Sequence, residues 1–396
     1  MPNTGSMPWR LVIAGCVGMF AATATGSTRS PFLPDMAADL QVSLPAIANL
    51  FGVTAAAWGT SSYLVGYVSD RIGRKPFLIG SPALLALIMG AVSVVPTYGL
   101  LVAITILAAV CCGAFTSTSL AEVSIRTPVS FHGRALGYVM SGQSLTLLFG
   151  VPVAAWLGAL IGWRGMHLVL AGLALVAAAG MWNAIRETAT RAPATPVASK
   201  PRTALRSALT GPIVRLFLAL IAERVCFGLA AFYYAAYLRR VYDLPIEAVA
   251  LPLVGFALGN IIGTVAGGQL ADRFPYRRIS FASALLVAGS VAIPWFMWRP
   301  GLAVTVALGV LFAFFNALGR PSLLAALADV PADVRGVVMG MNSSIASIGW
   351  LIAALVGGWL YAGIGFSGFG LLMAAMCLVG ALVVVPDSRI RRSNNQ

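Results

Sequence analysis

The sequence predicts an all-α polytopic membrane protein, twelve transmembrane helices set out as two pseudo-symmetric six-helix bundles, and three observations carry that prediction. The 396 residues are 59% hydrophobic and 10% charged, with a mean hydropathy of +0.89, whereas a soluble domain carries about 25% charged residues. Apolar runs long enough to cross a bilayer recur along the chain. A polar loop motif of the first half returns in the second.

Taking about 20 apolar residues as one crossing, spans fall near 9–36, 45–68, 76–95, 99–122, 135–158 and 164–185, then near 212–238, 247–271, 278–298, 301–326, 336–361 and 366–385. Between the two sets runs RETATRAPATPVASKPRTALRS, from Arg186 to Ser207, polar and proline-bearing and therefore read as a linker. The organisation is 1–185 as an N-terminal bundle, 186–211 as a cytoplasmic linker and 212–396 as a C-terminal bundle with a short cytoplasmic tail. The first apolar run follows a single Arg10 and has no small-residue cleavage site, so it reads as a retained helix.

Basic residues orient the spans, because short cytoplasmic loops hold the excess of Lys and Arg. With the N-terminus inside, only Arg164, Arg239, Arg240 and Arg299 fall outside, and Arg29, Arg224 and Arg320 fall within spans. Both termini are expected in the cytoplasm, with a bacterial inner membrane as the location. The balance of 26 Lys plus Arg against 12 Asp plus Glu would suit nucleic acid, but a nucleic-acid binder gathers charge on one soluble face. Here the charges punctuate apolar runs, and no nucleic-acid partner is expected. The five cysteines lie inside apolar segments without metal-ligand spacing, and no cofactor or metal is implied.

The motif GYVSDRIGRK from Gly66 is echoed by GQLADRFPYRR from Gly268, which places Asp272 and Arg273 opposite Asp70 and Arg71. A weaker echo pairs RALG from Arg134 with RGVVMG from Arg335. Gly66 is read as allowing two helix backbones to approach, and Asp70 as an acceptor for backbone N–H groups or a guanidinium. Arg71, Arg74 and Lys75 supply inside-positive anchoring, which is also the plain alternative to any mechanical role. This loop resembles that between spans 2 and 3 of the major facilitator superfamily. The resemblance implies a cytoplasmic latch in which Asp70, Arg74 and Glu122 form a charge relay docking against span 11.

On span 5, GQSLTLLFGVPVAAWLG followed by GWR is similar to the glycine-rich motif of proton-coupled efflux members, the drug-proton antiporters. Gly142, Gly150 and Pro152 would permit close packing against the other half and a local bend. Glycine and proline are also simply common in membrane helices. The sequence departs from the antiporter pattern at Ala109, where an arginine often stands, so a proton route through that arginine is not expected.

Ionisable residues inside spans are costly unless paired or turned to an aqueous cavity. Arg29 stands in ATGSTRSPFLP, where Pro31 and Pro34 are expected to break the helix and expose polar backbone. Glu223 and Arg224 lie mid-span, with Phe227 and Tyr234 on or near the Glu223 face. Arg320 follows Asn316 by one helical turn. The resemblance implies that spans 1, 4, 7 and 10 line the cavity. Tyr63, Gln143, Asn260, Asn316, Tyr234 and Trp350 are further candidates for lining a substrate site, each equally readable as packing. Glu223 is either a permanent ion-pair partner or the proton-coupling group at which protonation and substrate binding compete. Asp35, beside Asp39, reads as solvated loop chemistry at the outer end of span 1.

Three intramembrane arginines against one mid-span acid favour an anionic substrate, since guanidinium binds carboxylate or phosphate in a bidentate way. The counter-reading lets arginines snorkel to an interface, Arg320 first among them, which leaves a neutral or cationic site. The expected function is a monomeric secondary active transporter working by alternating access, proton-coupled, exporting a small organic compound. An organic-anion uniporter or exchanger is the alternative. A membrane receptor or an intramembrane enzyme is remote: His132 and His167 lie too far apart along the topology to share a catalytic site, and no GxxxxGK[ST] pattern exists for nucleotide hydrolysis.

Overall fold

The structure, a computed structural model, describes residues 7–128, 131–186, 210–274, 276–298, 300–330 and 332–385, and every regular element among them is helical. Most of the expected linker and the tail after 385 lie outside the described residues. The α-helices are α1 Trp9–Ser27, α2 Leu33–Asp39, α3 Leu44–Ile72, α4 Lys75–Val92, α5 Tyr98–Arg126, α6 His132–Leu145 and α7 Val151–Arg186. There follow α8 Gly211–Val241, α9 Ala250–Arg273, α10 Arg277–Met297, α11 Leu302–Ala328, α12 Ala332–Ile364 and α13 Ser367–Val384.

By length and composition, nine stretches of the described residues are long and apolar enough to cross a membrane. One of these, Arg134–Ile185, has 52 residues and breaks at Gly162, whose φ of 66° suits only a residue without Cβ, so it supplies two passes. The long helices α3 and α8 supply two more, their apolar character diluted by hydroxyl residues in α3 and by Glu223 and Arg224 in α8. The result is consistent with a twelve-helix fold.

The first pass is not one helix from 9 to 36. α1 stops at Ser27, a 3-10 turn occupies Ser30–Phe32, and α2 resumes at Leu33. Pro31 and Pro34 have no N–H to give to the preceding turn, so the α-helical ladder cannot run through. A second irregularity is the π-helical turn Thr146–Gly150 between α6 and α7. Pro152 cannot donate to the carbonyl one turn back, and the widened turn accommodates that loss.

The described helices group into two compact units, one gathering 1–196 with 234–254 and the other 197–233 with 255–396. In the first, α1 packs on α5, α6 and α7, while α3 lies along α5 and α4 along α7. Leu11, Met19, Leu78, Phe115, Val139 and Met181 form its apolar core. Gly142 brings α6 onto α1, a Cβ there lying 2.3 Å from the Cys16 carbonyl oxygen, and Gly150 faces Phe20 of the same helix. The close packing expected of these glycines is therefore made with α1 of their own bundle. Among the described residues nothing lies within 4 Å of where a Cβ of Gly66 would be, and the near approach of α3 to α5 occurs at Gly113 against the Trp58 carbonyl, 2.4 Å from the added carbon.

In the second unit α10 lies between α11 and α13. α9 meets α11 through a row of glycines at every fourth position. Added carbons at Gly259, Gly263 and Gly267 would fall 2.5, 2.2 and 2.2 Å from the carbonyl oxygens of Val310, Phe314 and Leu318. Where hydrocarbon surrounds the bundle, such small-residue rows let dispersion act between backbones, the main attraction left when lipid is as apolar as the side chains.

Candidate functional site

The second unit brings together the mid-span charges of α8 and α11. Glu223 is wholly buried. Its Oε1 accepts from Arg320 Nε at 3.3 Å and Nη2 at 3.0 Å. Its Oε2 lies 2.7 Å from Arg224 Nε, close enough for charge attraction but without an aligned hydrogen bond. Arg320 therefore turns inward to the acid and does not snorkel to an interface. Both guanidinium groups stand over the Phe227 ring, with Arg320 Cζ at 5.1 Å and Arg224 Cζ at 6.0 Å from its centroid. Phe227 is held by Phe256 and Trp350, whose ring centroids lie 5.9 and 5.6 Å away. α12 reaches this cluster closely because Gly349 leaves room for the Arg224 stem, 2.4 Å from where a Cβ would sit.

Two amides sit in the same unit with unmet hydrogen-bonding capacity. Asn316, one turn before Arg320, is buried, and neither its Oδ1 nor its Nδ2 has a partner. Asn260 Nδ2 on α9 is likewise unsatisfied. Buried polar atoms are almost always paired in folded proteins, so orphans beside an ionic cluster mark places where a ligand or water completes the set.

The first unit holds the other candidates. Arg29, 2% exposed, donates from Nη1 to Thr54 Oγ1 at 3.3 Å. Gln143 Nε2 donates to Met19 Sδ at 3.6 Å, an α6 to α1 contact. Tyr63 on α3 is 78% exposed and is not gathered with Arg29. Tyr234 belongs to this unit, not to the one containing Glu223. Sequence reasoning missed a further cluster: Asp35 is gripped by Arg239, Nη1 to Oδ2 at 2.5 Å and Nη2 to Oδ1 at 2.9 Å, and Arg239 also donates to the Pro31 carbonyl at 2.8 Å. Asp35 is thus an ion-pair partner whose side chain keeps 40% of its exposure to solvent. Asp39 similarly accepts from Trp163 Nε1 and Arg164 Nε, both at 3.1 Å.

At the ends of α3 and α5, Arg74 Nη1 lies 3.6 Å from Glu122 Oε2, and Arg126 Nε donates to Glu122 Oε1 at 2.5 Å. Arg71 is exposed, and the side chain of Asp70 lies outside the described residues, as does that of Arg335. The second unit repeats the arrangement: Arg277, opening α10, pairs with Asp329 just past α11 and donates to the Ala325 carbonyl at 3.4 Å. Asp272 and Arg273 end α9 exposed. Glu122→Gln should lower thermal stability by about 1–3 kcal/mol, since removing one partner strands the charge on the other. Melting in one detergent against the parent protein checks this.

The chain is 26% identical to the transcription regulatory protein OpdE of Pseudomonas aeruginosa, over 96% of this chain and 94% of that protein. It is 27% identical to a chloramphenicol resistance protein of Streptomyces lividans, over 88% and 89% of the two. With the inner membrane transport protein YdhP of Escherichia coli K12 it shares 25% identity over 96% of each. Its fold matches the solved structure of a bacterial homolog of the human lysosomal transporter Spinster with a TM-score of 0.72, at 15% identity, over 96% of this chain and 95% of that one. The profile of the Major Facilitator Superfamily matches residues 15–298 and 216–396, and this multi-pass chain is a member of that superfamily, a membrane transporter and not an enzyme.

Proposed function

We propose that the chain is a secondary active exporter of a small organic compound, exchanging it for protons across a bacterial inner membrane as a monomer, by alternating access and with both termini in the cytoplasm. The observation that carries the reading is Glu223, wholly buried, with Oε1 held by Arg320 and Oε2 lying 2.7 Å from Arg224 Nε without an aligned hydrogen bond. A substrate N–H or O–H directed at Oε2 requires the ionised acid. Protonating Glu223 then expels it, and since linkage is reciprocal, substrate binding expels the proton. Mutual exclusion of this kind is what antiport requires. The relatives named for chloramphenicol resistance and inner-membrane transport support the direction and the location. Asp70, Arg71, Arg74, Glu122, Asp272 and Arg273, with Gly66, Gly150 and Pro152, are proposed to act in gating.

The excess of arginine over acid favours a second reading, uniport or exchange of an organic anion. Liposomes holding the full chain and a pH-sensitive dye separate the two. Chloramphenicol is the first probe, followed by acidic, neutral and cationic organic compounds. Proton movement triggered by a compound in the parent protein and missing in Glu223→Gln supports antiport. Compound movement that ignores the pH gradient in the parent protein rejects it in favour of the uniporter or exchanger.

A further inference from the structure

Arg29 presents a problem that the Glu223 cluster does not solve. Its guanidinium is nearly fully buried, yet among the described residues it takes part in no ion pair. The two aspartates nearest along the chain are taken: Asp35 by Arg239 and Asp39 by Arg164. Arg29 Nε is buried with no hydrogen-bond partner. Nη1 has only the Thr54 hydroxyl, whose own proton goes to the Leu50 carbonyl at 2.7 Å. Burying a cation with one neutral hydrogen bond is costly, and such a charge persists where something else compensates it.

The surroundings leave room for that compensation. Gly26 lies one turn before Arg29, and a Cβ there would meet only the Thr54 methyl, at 3.9 Å. Gly26 and Thr54 are both partly exposed. The space beside Gly26 is therefore bordered by the Thr54 side chain, to whose hydroxyl the buried Arg29 guanidinium donates. Thr25 and Thr28 add nothing that competes for the cation, since each donates to a carbonyl of its own helix, Ala22 and Ala24. Unpaired donors on a planar fork match the two oxygens of a carboxylate.

We propose that Arg29 is an anion-recognition residue of the first unit, binding the carboxylate of a small organic acid in the space flanked by Gly26 and Thr54. This names a substrate class for the exporter proposed above and rests on that reading only in making the acid the cargo.

The test reads binding and transport separately on the full chain. Purified protein in nanodiscs is titrated with benzoate, succinate, benzamide, chloride and inorganic phosphate, in the parent, Arg29→Met, Arg29→Lys and Gly26→Leu forms. A carboxylate should bind the parent, with benzamide inert, and Arg29→Met should weaken that binding about 10- to 100-fold, as expected for losing a charged hydrogen-bond pair. Arg29→Lys should fall between, keeping the charge but not the fork, and Gly26→Leu should block binding by filling that space. A second readout excludes a merely structural role: without ligand, Arg29→Met should melt no lower than the parent, because it removes an uncompensated buried charge. Carboxylate affinity unchanged in Arg29→Met, absence of carboxylate binding to the parent, a marked fall in ligand-free melting temperature, or protection by chloride or phosphate in place of carboxylates would each overturn the proposal. Arg29-dependent carboxylate binding without any flux upholds the site and counts against the exporter. Flux of neutral compounds with no such binding counts the other way.

Discussion

Glu223→Ala should lower the stability of the detergent-solubilised protein by roughly 3–5 kcal/mol, the loss seen when one member of a buried ion pair is removed. Arg320 and Arg224 lose the acid they share and remain largely enclosed, with side chains 19% and 12% exposed. That residual exposure moves the expectation towards the lower end of the range. Glu223→Gln should cost less, because the amide oxygen still accepts from Arg320. Combining it with Arg320→Gln should recover part of that loss, since one of the two stranded cations is removed, while Arg224 still lacks its acid. Denaturant or thermal melts of the single and double variants measure the coupling. Additive losses would mean that the two side chains do not act as a pair. The transport assay then asks a separate question of the Gln variant, which is the better folded of the two.

Gly263→Ala should destabilise the second unit by about 3 kcal/mol, the upper end of overpacking costs in a close-packed interior. The new carbon would sit 2.2 Å from the Phe314 carbonyl oxygen and 2.9 Å from its Cα. Both are backbone atoms of α11, so no rotamer change relieves the clash and the helices must separate along the whole glycine row. Gly268 on the same helix is the control. Nothing lies within 4 Å of its added carbon, and Gly268→Ala should be neutral or gain up to about 1 kcal/mol from helix propensity. Equal melting temperatures for the two variants would show that the row carries no packing energy.

These two sites differ in how far the sequence discloses them. The spans were readable because a bilayer demands a count of apolar residues that composition alone can satisfy. The break after Ser27 was readable because proline acts locally. The α9 row, Gly255, Gly259, Gly263 and Gly267, is also visible as a four-residue repeat, but its partner is not, because Val310, Phe314 and Leu318 contribute carbonyls and backbone carries no sequence signature. Glu223, Arg224 and Arg320 stood out as expensive residues, while which arginine met the acid depended on a contact 97 residues away. Arg239 and Asp35, 204 residues apart, gave no signal at all. Of the three arginines inside spans, Arg29 belongs to one compact unit and Arg224 and Arg320 to the other, a grouping that charge counting along the chain does not reveal.

The pairing of α8 with α11 also bears on how the chain is made. A helix with an acid and an arginine at mid-depth enters the bilayer against a penalty of about 2.5–3.5 kcal/mol for each charge. Arg224 can offset part of this from within α8, but Arg320 emerges from the ribosome 97 residues after Glu223, which is roughly 5–20 s later at typical elongation rates. During that interval the nascent seventh crossing carries Glu223 with Arg224 alone to offset it. Arrival of the tenth crossing then supplies the second cation that Glu223 meets in the folded protein, so the acid gains its full set of partners only late in synthesis.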